Sequence, residues 1–208
     1  QKETDHYYTA VTRVDIDARD PAAKAGIYLT NGNQTVYMRL YSGYDNGKRI
    51  VFGCDTATRS MSNQFGNTVW LKLERKEHSI SAWCSGDGNT WIEVGAPVSS
   101  VSLDRAQPGF NSWVGTSIGL FAEGKSADFD LFVCKDGFSS LPAAGYSNYY
   151  GVQTVRQGPD KIVTSHSTKG GWLMLSGVEL GTDKRMATQV QLMVASKIAG
   201  NIEIWLDD

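Results

Sequence analysis

The chain reads as an all-β protein, a sandwich of antiparallel strands followed by part of a second, jelly-roll-like unit. Apolar and polar residues alternate with period two in short runs, those runs are separated by Gly, Asn and Asp, and helical periodicity is almost absent. A length of 208 residues allows one large or two modest domains, each with its own core.

The elements follow in order. In 8–16 the residues Tyr8, Ala10, Val14 and Ile16 share one face, and the run stops at Asp20-Pro21. Strands over 25–29 and 35–41 are joined by Thr30-Asn31-Gly32-Asn33, a hairpin turn because Asn-Gly tolerates positive φ. A second hairpin is expected from 69–75 and 79–85. Runs at 92–94, 117–123 and 128–134 complete a first unit, assigned to residues 1–138. The small, polar stretch 137–148 reads as a linker, with the boundary near residue 140 and the second unit over 139–208. Strands are expected there at 171–175, 187–195 and 201–205.

Bulk composition narrows the function. A formal charge of −2 supplies no basic field for a polyanion, which argues against nucleic acid and anionic membrane and favours a neutral ligand. No apolar run approaches the roughly 18 residues of a membrane span. Six Trp and nine Tyr suit sugar binding, although core packing absorbs aromatics equally well. Cys54, Cys84 and Cys134 have no metal-site spacing; a Cys84 to Cys134 bridge and small buried thiols both fit them. His6, His78 and His166 are scattered without the spacing of a zinc site. No nucleophile elbow, phosphate loop or dinucleotide fingerprint occurs, so the chain alone is expected to be non-catalytic.

One strand carries a candidate site. Tyr37, Arg39 and Tyr41 alternate with Val36, Met38 and Leu40, placing two rings and a guanidinium opposite an apolar face. Rings stack on sugar C–H surfaces and Arg donates to hydroxyls, while a solvated face with ordinary aromatic packing gives the same pattern. Trp113 lies in a loop from which an exposed ring has reach. Asp128 and Asp130 sit two apart on a strand, about 7 Å from each other on one face. They are weak candidates for a structural calcium; side-by-side acids on one strand do not flank a glycosidic bond. Trp91, in the turn 85–91, is expected to pack inward.

Four pieces carry a family resemblance: Val69-Trp-Leu-Lys-Leu-Glu-Arg75, Ser85-Gly-Asp-Gly-Asn-Thr-Trp91, Ile118-Gly-Leu-Phe-Ala122 and Ala127-Asp-Phe-Asp-Leu-Phe132. Together they resemble the C-terminal concanavalin A-like sandwich of glycoside hydrolase family 43, of the β-xylosidase and arabinofuranosidase type. Further on, Tyr150-Gly-Val-Gln-Thr154, Gly170-Gly-Trp-Leu-Met174, Gly177-Val-Glu-Leu-Gly181 and Val194-Ala-Ser196 with Ile202-Glu-Ile204 resemble the N-terminal half of carbohydrate-binding module family 6.

The resemblance implies an upstream catalytic propeller as partner, a sandwich lacking its first strands, and a jelly roll that continues past residue 208. It also implies a pocket-facing role for the Trp113 loop, although Ser117 stands where the usual loop aromatic aligns. A sugar platform is implied at His166 and Trp172, although His is a poorer stacking surface than Tyr. Ala143-Ala144-Gly145-Tyr146 and Val155 depart from the acids associated with that family's calcium. The expected function is an accessory region of a secreted bacterial enzyme that binds xylan or xylooligosaccharide, needing no cofactor. The alternatives are a wall completing the pocket of a family 43 enzyme and a laminin-G-like protein-interaction domain.

Overall fold

The computed structural model describes residues 2–3, 6–17, 19–33, 35–54, 56–104, 115–138, 140–158, 160–176, 178, 180–182, 185–197 and 199–206. Two antiparallel sheets face each other. One runs in the order β10-β2-β3-β4-β5, from strands β10 (Ser117–Glu123), β2 (Lys24–Thr30), β3 (Tyr37–Tyr44), β4 (Lys48–Cys54) and β5 (Ala57–Ser62). The other runs β11-β1-β6-β7-β8, from β11 (Asp128–Lys135), β1 (Tyr7–Asp15), β6 (Thr68–Lys76), β7 (Ser79–Ser85) and β8 (Ile92–Glu93), with the short β9 (Val98–Ser99) also on β7. A single helical turn, α1 (Val101–Asp104), follows β9.

The period-two pattern builds the core. Ala25, Ile27 and Leu29 of β2, Met38 and Leu40 of β3 and Ile50 and Phe52 of β4 point across to Tyr8, Ala10 and Val14 of β1, Val69, Leu71 and Leu73 of β6 and Ile80, Ala82 and Cys84 of β7, all of them buried. Each larger side chain so buried contributes roughly 1.5–3 kcal/mol. The Asn-Gly turn forms as expected: Gly32 has φ +91. Asn31 is buried there, its side chain accepting from the Asn33 amide and donating to the Leu103 carbonyl.

One inward position is charged. Arg75 continues the row Val69, Leu71, Leu73 and is fully buried. Its Nη1 lies 2.5 Å from Glu3 Oε2, its Nη2 lies 2.5 Å from Asp104 Oδ1, and its Nε donates to the Glu77 carbonyl at 2.9 Å. The hydroxyl of buried Tyr8 donates to the other oxygen of Glu3. Glu3 is itself held by its amide, which donates to the Thr116 carbonyl.

The structure adds strands at β4 and β5, which the sequence does not announce; no residue of β5 is fully buried. The cysteine bridge does not form, and all three thiols are free. Cys84 on β7 and Cys134 on β11 are separated by β6 and β1. Three strand spacings are about 14 Å, twice what a disulfide spans.

Beyond residue 138 the elements are small: β12 (Asn148–Tyr150) pairs with β15 (Trp172–Met174), β13 (Val152–Gln157) with β14 (Asp160–Ser165), and β16 (Gly181–Thr182) with β17 (Arg185–Met186). The strands expected at 187–195 and 201–205 are not in any ladder. Their apolar residues Val190, Leu192, Ile202, Ile204 and Trp205 are exposed, and alternation without a neighbouring strand or a facing layer does not make a sheet.

Arg75→Ala is expected to destabilise the fold by about 3–5 kcal/mol, because it strands two carboxylates out of water. Arg75→Met should cost nearly as much, since Glu3 and Asp104 still lose their cation. Urea unfolding midpoints measure both, and a midpoint equal to the parent's would show that the buried ions are not held by Arg75.

Candidate functional site

The outer face of the β10-β2-β3-β4-β5 sheet gathers rings around one guanidinium. Tyr37, Arg39 and Tyr41 project outward from β3 and are half-buried, while Met38 and Leu40 point into the core. The neighbouring strands supply what β3 alone does not. Strand register sets Tyr28 beside Arg39 and Gly26 beside Tyr41, and on the far side of β2 it sets Phe121 beside Gly26. Phe121 and Tyr41 meet edge to face, with centroids 5.9 Å apart, at the level of Gly26. A Cβ on Gly26 would fall 2.0 Å from the Leu40 carbonyl oxygen, so the close approach of β2 and β3 there requires glycine.

Arg39 Cζ lies 4.5 Å from the Tyr37 centroid, 4.8 Å from Phe121 and 5.3 Å from Tyr28. These separations are within cation–π range. Its Nη1 donates to Glu123 Oε2 at 2.9 Å, and Lys24 reaches the other oxygen at 3.3 Å. Burial raises the Glu123 pKa, but the bonds and charges of Lys24 and Arg39 outweigh it and hold the carboxyl below the usual glutamate range. Burial also pushes the Tyr41 phenol up.

A cleft of about 140 Å³ opens here, lined by Lys24, Tyr37, Arg39, Tyr41, Val51, Gly53, Cys54 and Thr58. Gly53 has φ +136, and a Cβ there would stand 2.0 Å from the Ala57 carbonyl oxygen, so the floor is narrow because β4 and β5 nearly touch. Arg39 Nε is sealed from solvent without a hydrogen-bond partner, alone in this among the described buried side-chain nitrogens and oxygens. The arrangement brings aromatic faces, a guanidinium and a polar rim together around one cleft.

The other candidates fall elsewhere. Trp113 lies outside the described residues. His166 and Trp172 are exposed in the segment beyond residue 138, Trp172 beside Tyr150 in register, and neither lines the cleft. Asp128 and Asp130 do share an exposed face of β11, but Asp130 is ion-paired with Arg13 of the adjacent β1, which leaves less of the pair for a cation.

Trp91 does not pack inward. It is half-buried on the outer face of the second sheet, where Lys72 Nζ lies 4.6 Å from the Trp83 centroid and 4.5 Å from that of Trp91. Burial among these rings lowers the Lys72 pKa. The turn between β7 and β8 is closed by Asp87, whose Oδ1 accepts from the amides of Asn89 and Thr90 at 2.8 Å and from the Ser85 hydroxyl at 2.9 Å. The histidines are less scattered than their spacing implies, since the rings of His6 and His78 lie with centroids 5.7 Å apart.

Residues 1–135 match the family described as the beta xylosidase C-terminal concanavalin A-like domain. The chain belongs to this family. Its sandwich therefore corresponds to the C-terminal, non-catalytic part of glycoside hydrolase family 43 enzymes. Similar solved structures include the GH43 BlXynB protein from Bacillus licheniformis, 22% identical with a TM-score of 0.55. A xylan beta-1,4-xylosidase from Bacillus halodurans C-125 is 17% identical with a TM-score of 0.55, and GH43B of the Bacteroides ovatus xyloglucan PUL is 16% identical with a TM-score of 0.53. In each case 64% of this chain is covered and 28% of the other, so the family 43 domain spans under a third of those proteins. At these identities the likeness speaks for the fold. No curated protein matches the chain.

The Asp87 turn carries a pH test. The backbone amides of Thr90 and Asn89, then the Ser85 hydroxyl, pull its carboxyl from 3.8 down to about 2. A depressed folded-state pKa means that the stabilisation is complete above the ordinary aspartate value and is lost as pH falls through the folded one. The indole N–H resonance of Trp91, assigned with Trp91→Phe, should therefore shift between about pH 4 and 2 and stay put above. Asp87→Asn should lack that transition, and a parent resonance unchanged down to pH 2 would refute the mechanism.

Proposed function

We propose that the chain is an accessory region of a family 43 enzyme acting on xylan or arabinoxylan, and that the β3 cleft binds a neutral saccharide. The observation that carries the saccharide reading is the cleft itself: Tyr37, Arg39 and Tyr41 line it together, so ring faces and a guanidinium border one sugar-sized space. Sugar C–H faces lie against Tyr37 and Tyr41, and hydroxyls accept from the guanidinium. The family supports the enzyme context, because its members are the C-terminal domains of β-xylosidases.

Under this reading the partners are xylooligosaccharide and a catalytic domain of the same polypeptide, and the parent enzyme is secreted by a bacterium. Residues 139–208 are the opening of a family 6 carbohydrate-binding jelly roll, with Trp172 and His166 as its sugar-side residues. Two or three stacked rings at roughly 1 kcal/mol each, with several hydrogen bonds, give about −5 to −7 kcal/mol. That corresponds to a Kd of roughly ten to two hundred micromolar. Tethering to a catalytic domain makes such weak binding effective.

Titration calorimetry of the chain with xylohexaose and arabinoxylan oligosaccharides tests the proposal. Tyr37→Ala and Arg39→Ala should each weaken binding about fivefold to tenfold, while Trp172→Ala reports on the second unit separately. Affinity unchanged by both β3 substitutions would remove the cleft from the proposal. Capture of a protein partner insensitive to competing xylooligosaccharide would favour a protein-interaction domain instead.

A further inference from the structure

At the end of the sandwich where Arg75 is buried, three side chains from distant parts of the chain converge. His6 lies immediately before β1, His78 sits in the turn between β6 and β7, and Asp104 ends α1. His78 Nδ1 is 2.8 Å from Asp104 Oδ2, His6 Nε2 is 3.8 Å from Asp104 Oδ1, and one potential ligand atom from each residue lies within 4.8 Å of the others. We propose that His6, His78 and Asp104 form a binding site for a borderline divalent transition-metal ion such as Zn(II).

The donor set argues for that class. Two imidazoles and one carboxylate suit zinc, nickel, cobalt and copper, whereas calcium and magnesium take oxygen ligands. Bond lengths of about 2.0–2.2 Å place neighbouring tetrahedral ligand atoms roughly 3.3 Å apart. The 2.8 Å from His78 Nδ1 to Asp104 Oδ2 and the 3.8 Å from His6 Nε2 to Asp104 Oδ1 bracket that value, and the three ligand atoms lie within 4.8 Å of one another, so side-chain rotations bring them onto one ion. An ion takes the place of the proton now between His78 Nδ1 and Asp104 Oδ2.

The supports are built in. Arg75, fully buried, fixes Asp104 through Oδ1, the oxygen that also lies 3.8 Å from His6 Nε2, and leaves Oδ2 to His78 and the Ser100 hydroxyl, as an outer-shell partner holds a metal-binding carboxylate. The His6 carbonyl accepts from the Glu77 amide at 2.9 Å, and the His78 carbonyl accepts from the Ser100 amide at 2.8 Å. Glu77 holds φ +53 to turn the chain there. The charges also agree: one positive Arg75 against negative Glu3 and Asp104 leaves one net negative charge facing the cation. The His6 and His78 side chains are 44% and 56% exposed, which gives an ion an entry and leaves room for water as the remaining ligand. A bound ion would cross-link the N-terminal segment, the β6–β7 turn and α1.

Calorimetry with Zn(II), visible absorption of the Co(II) form and thermal melts of the full chain test this. A single Zn(II) should bind per chain, with a Tm rise of several degrees at a hundredfold excess over Kd. His6→Ala and His78→Ala should each weaken binding at least about tenfold and the double variant should abolish it, while His166→Ala changes nothing. His78→Gln restores a hydrogen bond to Asp104 without a good zinc ligand, so it should keep the metal-free Tm and lose the Zn(II) response. Absence of binding, binding that survives the double substitution, or an equal Tm rise with Ca(II) would overturn the proposal.

Discussion

A guanidinium without exposed surface closes one end of the sandwich core, and the chain around it is arranged to satisfy it. The alternation of β6 forces position 75 inward after Val69, Leu71 and Leu73, so the charge of Arg75 is buried by the strand's own register. Burial of a lone cation costs several kcal/mol, and the cost is met only if partners are brought in. Glu3, Asp104 and the Glu77 carbonyl are those partners. Each comes from a different segment, so one side chain fixes where the N-terminal stretch, the β6–β7 turn and α1 lie. A methionine would fill the same volume but would give Glu3 and Asp104 no reason to meet.

The outer faces follow from the same register logic. Because inward positions are filled with Ile, Leu, Val and Met, outward positions are free to carry rings and charges, and both sheets use them in the same way. On one, Arg39 lies among Tyr28, Tyr37 and Phe121; on the other, Lys72 lies between Trp83 and Trp91. A cation held on ring faces is partly desolvated yet keeps an electrostatic partner. The two faces differ in what is left over. Arg39 borders a cleft, whereas the turn above Trp70 is closed by Asp87, with Gly88 so near the indole that a Cβ would stand 3.0 Å from it.

Legibility in the sequence tracked how much each element buries. Strands with apolar residues at every second position, such as 69–75 and 117–123, were readable within a residue or two because alternation is their cause. β5 was not, since of Ala57–Ser62 only Ala57 and Met61 pack against the core and the rest is polar. β13 and β14 bury little beyond Val152, whereas 187–205 alternates clearly and finds no partner. Local pattern reports a capacity for pairing, and pairing itself needs a neighbour. The same limit divided the site. Tyr37, Arg39 and Tyr41 share one strand and were visible together, but Tyr28, Phe121 and Glu123 join them only through strand order. Trp91 was misjudged because a turn residue has no alternation to say which face it meets. The His6, His78 and Asp104 cluster had no spacing signal at all, being assembled by the demands of a buried arginine.

Preorganisation decides what the β3 face offers a ligand. Tyr and Phe have few rotatable bonds, and here Tyr28, Tyr37, Tyr41 and Phe121 are already packed against one another, so little conformational entropy remains to be lost on contact. Arg39 is likewise held, by Glu123 and by the ring faces, before anything binds. A neutral ligand laid against these rings need not displace the Glu123 carboxylate, because Lys24 and Arg39 already hold its two oxygens and the ring faces are left over for contact.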